Sequence, residues 1–106
     1  MFNKISIIGC GLIGSSILRA IEEKKLASKI SAYDKSKSVT DYLKKNFSAE
    51  ICKNISDVVK GSDLIIIASP LSSYKEILLS IQSNLKENVI LTDTGSAKKE
   101  VNKIIS

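Results

Sequence analysis

No histidine occurs anywhere in the 106 residues of this chain, which has a single proline and only two cysteines. Without histidine the chain lacks the commonest general base near neutral pH, every His-ligated metal site and Ser-His-Asp catalysis. Cys10 and Cys52 are too few for a disulfide framework and fit no zinc-ligand spacing. Both are expected to be reduced, buried thiols, and no metal is expected. Long apolar runs are missing as well. The longest, Leu64 to Ala68, has five residues, far short of the roughly 20 that cross a bilayer. The N-terminus shows no succession of basic, apolar and small residues of the kind that marks a signal peptide. These absences point to a cytoplasmic protein with no membrane contact. Repeats, low-complexity tracts and linkers are absent too, which leaves one domain, residues 1–106.

What is present is ordinary in composition: 25% charged and 43% hydrophobic residues, as in soluble globular proteins. Sixteen Lys plus Arg against eleven Asp plus Glu give a net charge of +5 and a pI near 9.3. That balance suits a phosphate-bearing ligand. Nucleic acid is not the expected partner, because the lysines are spread over nearly every element and Arg19 alone offers a bidentate contact to guanine.

Apolar spacing gives the order of elements. Phe2 to Ile8 reads as a strand that stops at Gly9. From Leu12 onward, Ile13, Ile17 and Ile21 recur every four residues along one face of a helix ending near Lys25. Ile30 to Asp34 is a second strand, and Ser36 is placed to cap a helix carrying Val39, Tyr42, Leu43 and Phe47. Glu50 to Cys52 is a short third strand, and Ser56 to Lys60 a helical turn. Leu64 to Ala68 is an unbroken apolar run, expected of a strand covered on both faces of a parallel sheet. A helix follows from about Ser72, with Ile77, Leu78, Ile81 and Leu85 facing inward. Asn88 to Thr92 is the last strand, and Ala97 to Ile105 a final helix.

Strands alternating with helices predict right-handed βαβ units and an α/β fold: a Rossmann-type doubly wound parallel sheet of about five strands, ordered 3-2-1-4-5. In such sheets the ligand sits beyond the carboxyl ends of the strands, where the strand order reverses.

One loop on that rim is Gly9-Cys10-Gly11-Leu12-Ile13-Gly14, a GxGxxG. Alone the motif is weak. Here it follows a strand, opens a helix, and has an acid, Asp34, 20 residues beyond Gly14, which is the context of a dinucleotide-binding fingerprint. Gly9 permits the turn out of the strand, Gly11 lets a pyrophosphate approach the backbone, and Gly14 lets the helix pack on the sheet. The N–H groups of Leu12 and Ile13 then face the phosphates at the positive end of the helix dipole. Asp34 would accept hydrogen bonds from the adenosine ribose. A methyltransferase loop for S-adenosylmethionine would place a third glycine where Ile13 stands. Asp34 favours NAD, while Lys35 and Lys37 beside it keep NADP possible.

With these residues placed, the sequence resembles the cofactor domain of the prephenate and arogenate dehydrogenases. Three stretches carry the likeness: Ile7 to Ser16 (IIGCGLIGSS), Asp63 to Pro70 (DLIIIASP) and Thr92 to Lys98 (TDTGSAK). The third is the most specific. The resemblance implies an NAD(P)-dependent oxidative decarboxylation in tyrosine biosynthesis, with hydride passing from the alcohol carbon of prephenate or arogenate to the nicotinamide. It places Ser69, Pro70 and Gly95 against the cofactor and Ser96 near the nicotinamide and the reacting hydroxyl. Asp93 and Lys98 would support that loop. The family's catalytic histidine lies in a later GGHP-like segment, and a C-terminal helical domain completes the pocket and forms a homodimer. Both are expected to lie outside this sequence, so the chain alone is expected to bind NAD without turning over prephenate. Other families with this fold remain open as alternatives: pyrroline-5-carboxylate reductases, 3-hydroxyacid dehydrogenases, or a stand-alone nucleotide-binding regulatory module.

Overall fold

A computed structural model of the chain describes residues 2–69, 71–85 and 88–93. The isoleucine-rich strand β1 (Phe2–Ile8) leads into helix α1 (Leu12–Lys24). The helix closes where Lys25 turns left-handed, at φ 52°. The Lys25 and Leu26 N–H groups then return to the carbonyls of Glu22 and Ile21, satisfying acceptors the helix end leaves open. Strand β2 (Ala27–Tyr33), helix α2 (Lys37–Asn46), strand β3 (Glu50–Ile51), helix α3 (Ile55–Val59), strand β4 (Leu64–Ile67), helix α4 (Tyr74–Ile81) and strand β5 (Ile90–Asp93) follow.

All strand pairs are parallel and the order is β3-β2-β1-β4-β5, as the alternation predicts. The reversal of order falls between β1 and β4. Register then aligns the carboxyl ends in one row. Ile8 pairs with Tyr33 on one side and Ile67 on the other, and Ile67 pairs with Asp93.

Helices cover both faces, so alternate side chains of a strand serve two cores. On one face Ile5, Ile7 and Ile66 pack with Leu18, Ile21 and Leu43 from α1 and α2. On the other, Ile8, Ile65 and Ile67 meet Val58, Val59, Tyr74 and Ile77 from α3 and α4. This explains the unbroken apolar run in β4: every one of its side chains has a helix above or below. Ser6 is the buried polar residue of β1. It is fully buried and hydrogen-bonds through its hydroxyl to the Val58 carbonyl and to Ser62 Oγ. Arg19 stacks over the Phe47 ring, 5.0 Å from its centre, where α1 and α2 approach each other.

Several boundaries differ from expectation. Strand β2 begins at Ala27, not Ile30, because it stays in register with β1 from Phe2 onward, while exposed Ser28 and Lys29 hide its start in the apolar pattern. Strand β5 begins at Ile90, since Asn88 holds a turn at φ 63°. The helix expected from Ser72 opens with a 3-10 turn, Leu71–Ser73, before α4 proper. Ser36 does stand at the start of α2, but its side chain makes no capping bond and pairs with Ser38 Oγ at 3.0 Å. Asn54 is a true cap, accepting from the Asp57 N–H at 3.0 Å at the start of α3. The helix expected over Ala97 to Ile105 lies outside the described residues. No helix among the described residues is long and apolar enough to cross a membrane.

Candidate functional site

The loops after β1, β2 and β4 meet on the rim of the sheet. Gly9 leaves β1 at φ +84°, a backbone state that side chains rarely adopt. A Cβ there would collide with Ser69 Oγ and lie 2.9 Å from the Ser69 nitrogen. Gly9 therefore brings the loop after β1 against the end of β4. Gly14 is buried, and a Cβ on it would strike the Gly9 carbonyl oxygen and come within 3.3 Å of Ala68 Cβ. It lets α1 start flush with the sheet. Gly11 is the opposite case: it is exposed and nothing lies within 4 Å of where its Cβ would point. The backbone is bare on the side where a ligand would come.

Ser15 N–H to the Gly11 carbonyl, 2.9 Å, is the first rung of α1. The N–H groups ahead of it, at Leu12, Ile13 and Gly14, have no acceptor within the helix. They stand beside the bare face of Gly11, which is the arrangement that holds a phosphate at a helix N-terminus. The Ile13 side chain is 57% exposed, so it is outside the core expected for it.

Asp34 follows β2 and faces this loop. Its Oδ2 accepts from the Cys10 N–H at 2.7 Å and its Oδ1 from the Ser36 N–H at 2.8 Å. An ionised carboxylate has about four acceptor positions, so two remain for a ligand's hydroxyls. Cys10 is buried, as expected, at 1% exposure. Burial, with the neighbouring Asp34 charge, pushes its thiol up to about 12, so it stays a protonated, inert group. Cys52 is also buried, and burial raises its thiol as well.

Between these loops lies a cleft of about 340 Å3, a size found for small-molecule sites. Ile8, Tyr33, Ile55 and Ile77 give it an apolar floor, while Asp34, Ser69, Ser73, Glu76 and Ser80 supply polar groups. The structure thus brings together Gly9, Gly11, Asp34, Lys35 and Ser69 of the expected site around one cleft. Pro70, Gly95 and Ser96 lie outside the described residues. Ser73 belongs to the loop after β4, which is expected on this rim, but Glu76 and Ser80 were not expected there; the signal available was that α4 follows the carboxyl end of β4. A larger recess, about 620 Å3, opens at the other edge between the end of α1 and the start of β2. It has the volume without the chemistry. Its best-placed acid, Glu22, already accepts from the Ser48 N–H, the Ser48 hydroxyl and the Ala49 N–H.

The bare Gly11 backbone, the free start of α1 and the acid at the end of β2 fit the pyrophosphate and ribose of a dinucleotide. Comparison with known proteins identifies an NAD(P)-binding dehydrogenase domain. Residues 4–96 match the model of a family described as NADP oxidoreductase, coenzyme F420-dependent. The chain is 36% identical over 106 residues to the cyclohexadienyl dehydrogenase of Zymomonas mobilis, covering 99% of this chain and 36% of that protein. It is 33% identical over 101 residues to the L-aspartate dehydrogenase of Methanocaldococcus jannaschii, covering 92% of this chain and 38% of that one. The chain thus spans a little over a third of the length of these relatives. In three dimensions it resembles the prephenate dehydrogenase of A. aeolicus solved with hydroxyphenyl propionate and NAD+. The TM-score is 0.79 at 23% identity, covering 91% of this chain and 34% of that one; this likeness speaks for the fold.

Proposed function

The chain belongs to the family described as NADP oxidoreductase, coenzyme F420-dependent, as an NAD(P)-binding dehydrogenase domain, and from that premise we propose that it is the cofactor-binding domain of a longer dehydrogenase for a cyclohexadienyl acid, prephenate or arogenate, with NAD as the preferred cofactor. The observation that carries the cofactor half is the pairing of the bare Gly11 backbone with Asp34 across one cleft. Gly9, Gly11 and Gly14 shape the cradle, the N–H groups of Leu12 and Ile13 receive the pyrophosphate, and Asp34 takes the ribose hydroxyls. Lys35 lines the cleft beside Asp34.

The substrate half rests on the resemblance of three stretches to the prephenate and arogenate dehydrogenases and on the 36% identity to a cyclohexadienyl dehydrogenase. The nicotinamide, when bound, supplies the redox chemistry. Of this chain's residues, Ser69, Pro70 and Gly95 would lie against the cofactor, and Ser96 would orient the reacting hydroxyl. The general base and the dimer contacts would come from the rest of the enzyme.

A second reading is favoured by the 33% identity to an L-aspartate dehydrogenase: the same cradle serving oxidation of an amino acid. Measuring NADH formation by the full-length gene product with prephenate, arogenate and L-aspartate separates the two. Turnover of either cyclohexadienyl acid supports the proposal. Turnover of L-aspartate with both of those inert replaces it by the second reading.

A further inference from the structure

An acid that ends the second strand of a dinucleotide cradle has an obvious task, holding the ribose. The structure gives Asp34 another. Both of its oxygens are engaged by backbone N–H groups from two different loops: Ser36 at 2.8 Å, two residues on, and Cys10 at 2.7 Å, 24 residues earlier. The Ser36 bond is local, an Asx turn of the kind aspartate commonly makes. The Cys10 bond is not local. It ties the loop after β1 to the loop after β2 through a charged acceptor, a stronger bond than a neutral pair.

Cys10 is held on other sides as well. Its carbonyl accepts from Ser15 Oγ at 2.6 Å, and its thiol, 1% exposed, lies 3.7 Å from the Tyr33 carbonyl. The residue between Gly9 and Gly11 is therefore fixed at its N–H, its carbonyl and its side chain. Those two glycines would otherwise give the loop wide backbone freedom. A loop fixed before the ligand arrives loses less entropy on binding.

We propose that Asp34 is a positioning residue: its carboxylate, bonded to the Cys10 and Ser36 N–H groups, braces the glycine loop in its binding conformation independently of any contact with ribose. The proposal rests on reading the loop as the dinucleotide cradle. It extends that reading, because the acid then acts on the pyrophosphate half of the site through the backbone.

The test uses Asp34→Asn in the 106-residue chain, with Asp41→Asn, an exposed acid on α2, as the charge control. One arm needs no cofactor: the alkylation rates of Cys10 and Cys52, resolved by peptide mass. Cys52 sits in the core on the other face of the sheet and reports opening of the whole domain. The other arm compares the affinities of NADH and of an NADH analogue lacking both adenosine-ribose hydroxyls. A brace predicts that Asp34→Asn speeds alkylation of Cys10 well beyond that of Cys52. It also predicts weaker binding of both ligands, roughly tenfold, the scale of a lost hydrogen bond to a charged group. Asp41→Asn should change neither readout. An unchanged Cys10 rate, equal acceleration at both cysteines, or a loss confined to NADH overturns the brace. If the parent chain binds neither ligand, the cofactor reading fails, and the alkylation arm alone decides for or against the brace.

Discussion

Asp34 Oδ2 lies 2.7 Å from the backbone nitrogen of Cys10, so the acid at the end of β2 is joined to the middle of the glycine loop after β1. The bond spans the adjacent strands β2 and β1, whose carboxyl ends pair at Tyr33 and Ile8. It makes the two halves of the cradle one mechanical unit.

The three glycines of that loop predict different losses. Gly11→Ala places a methyl in open space at a φ of −63°, outside the left-handed region where a side chain is strained. Thermal unfolding should hardly change, while NADH affinity falls because the methyl occupies the pyrophosphate's approach. Gly9→Ala sets a side chain at φ +84° against Ser69 and should cost on the order of 3 kcal/mol of stability. Calorimetric melts beside NADH titrations of both variants check the contrast, and equal destabilisation by the two would refute it.

Cys10 predicts a dependence on pH. Its thiol is raised from 9.0 to about 12, first by burial and then by the Asp34 charge. An unfolded chain loses that proton near 9 while the folded chain keeps it. The contribution is therefore whole below pH 9 and is lost as pH climbs toward 12, at up to roughly 1.4 kcal/mol per pH unit. Denaturant unfolding of the chain and of Cys10→Ala at about pH 8 and about pH 10.5 isolates it. The difference in stability between the two should shrink at the higher pH.

Leu18 is fully buried where α1 meets the sheet, packed in one core with Ile5, Ile7 and Ile66. Leu18→Ala should cost about 2–5 kcal/mol, from lost transfer energy and the cavity left behind. Urea unfolding measures it. A loss near zero would mean the α1 layer does not pack as described.

Asp34 also predicts cofactor choice. Its charge would repel a 2′-phosphate, although Lys35 and Lys37 stand exposed nearby. Asp34→Ser should lower NADH affinity and narrow its advantage over NADPH. Parallel titrations of the two cofactors read both effects, and an unchanged ratio would remove Asp34 from the specificity account.

Much of this architecture is legible in the residues alone, and the exceptions have physical causes. The strand order follows from alternation, since βαβ units have one hand and β4 is apolar on both faces. The shape of the glycine loop is legible because the turn at Gly9 and the close helix approach at Gly14 each demand glycine at a fixed spacing. The bond from Asp34 to Cys10 is not, because it depends on how two loops distant in sequence meet once β1 and β2 pair. Ser36 shows a limit of a local rule: it stands at the helix start, yet its hydroxyl pairs with Ser38 Oγ and its N–H with Asp34. Glu76 and Ser80 became visible as a cleft wall only once α4 was packed against the end of β4.

The central claim is that the loop from Gly9 to Gly14, with Asp34, forms a cradle for NAD. Titrating the purified chain with NADH and then NADPH, followed by calorimetry, tests it most directly. The account predicts saturable binding of one NADH per chain, tighter than NADPH. Absence of binding by both cofactors, or tighter binding of NADPH, would contradict it.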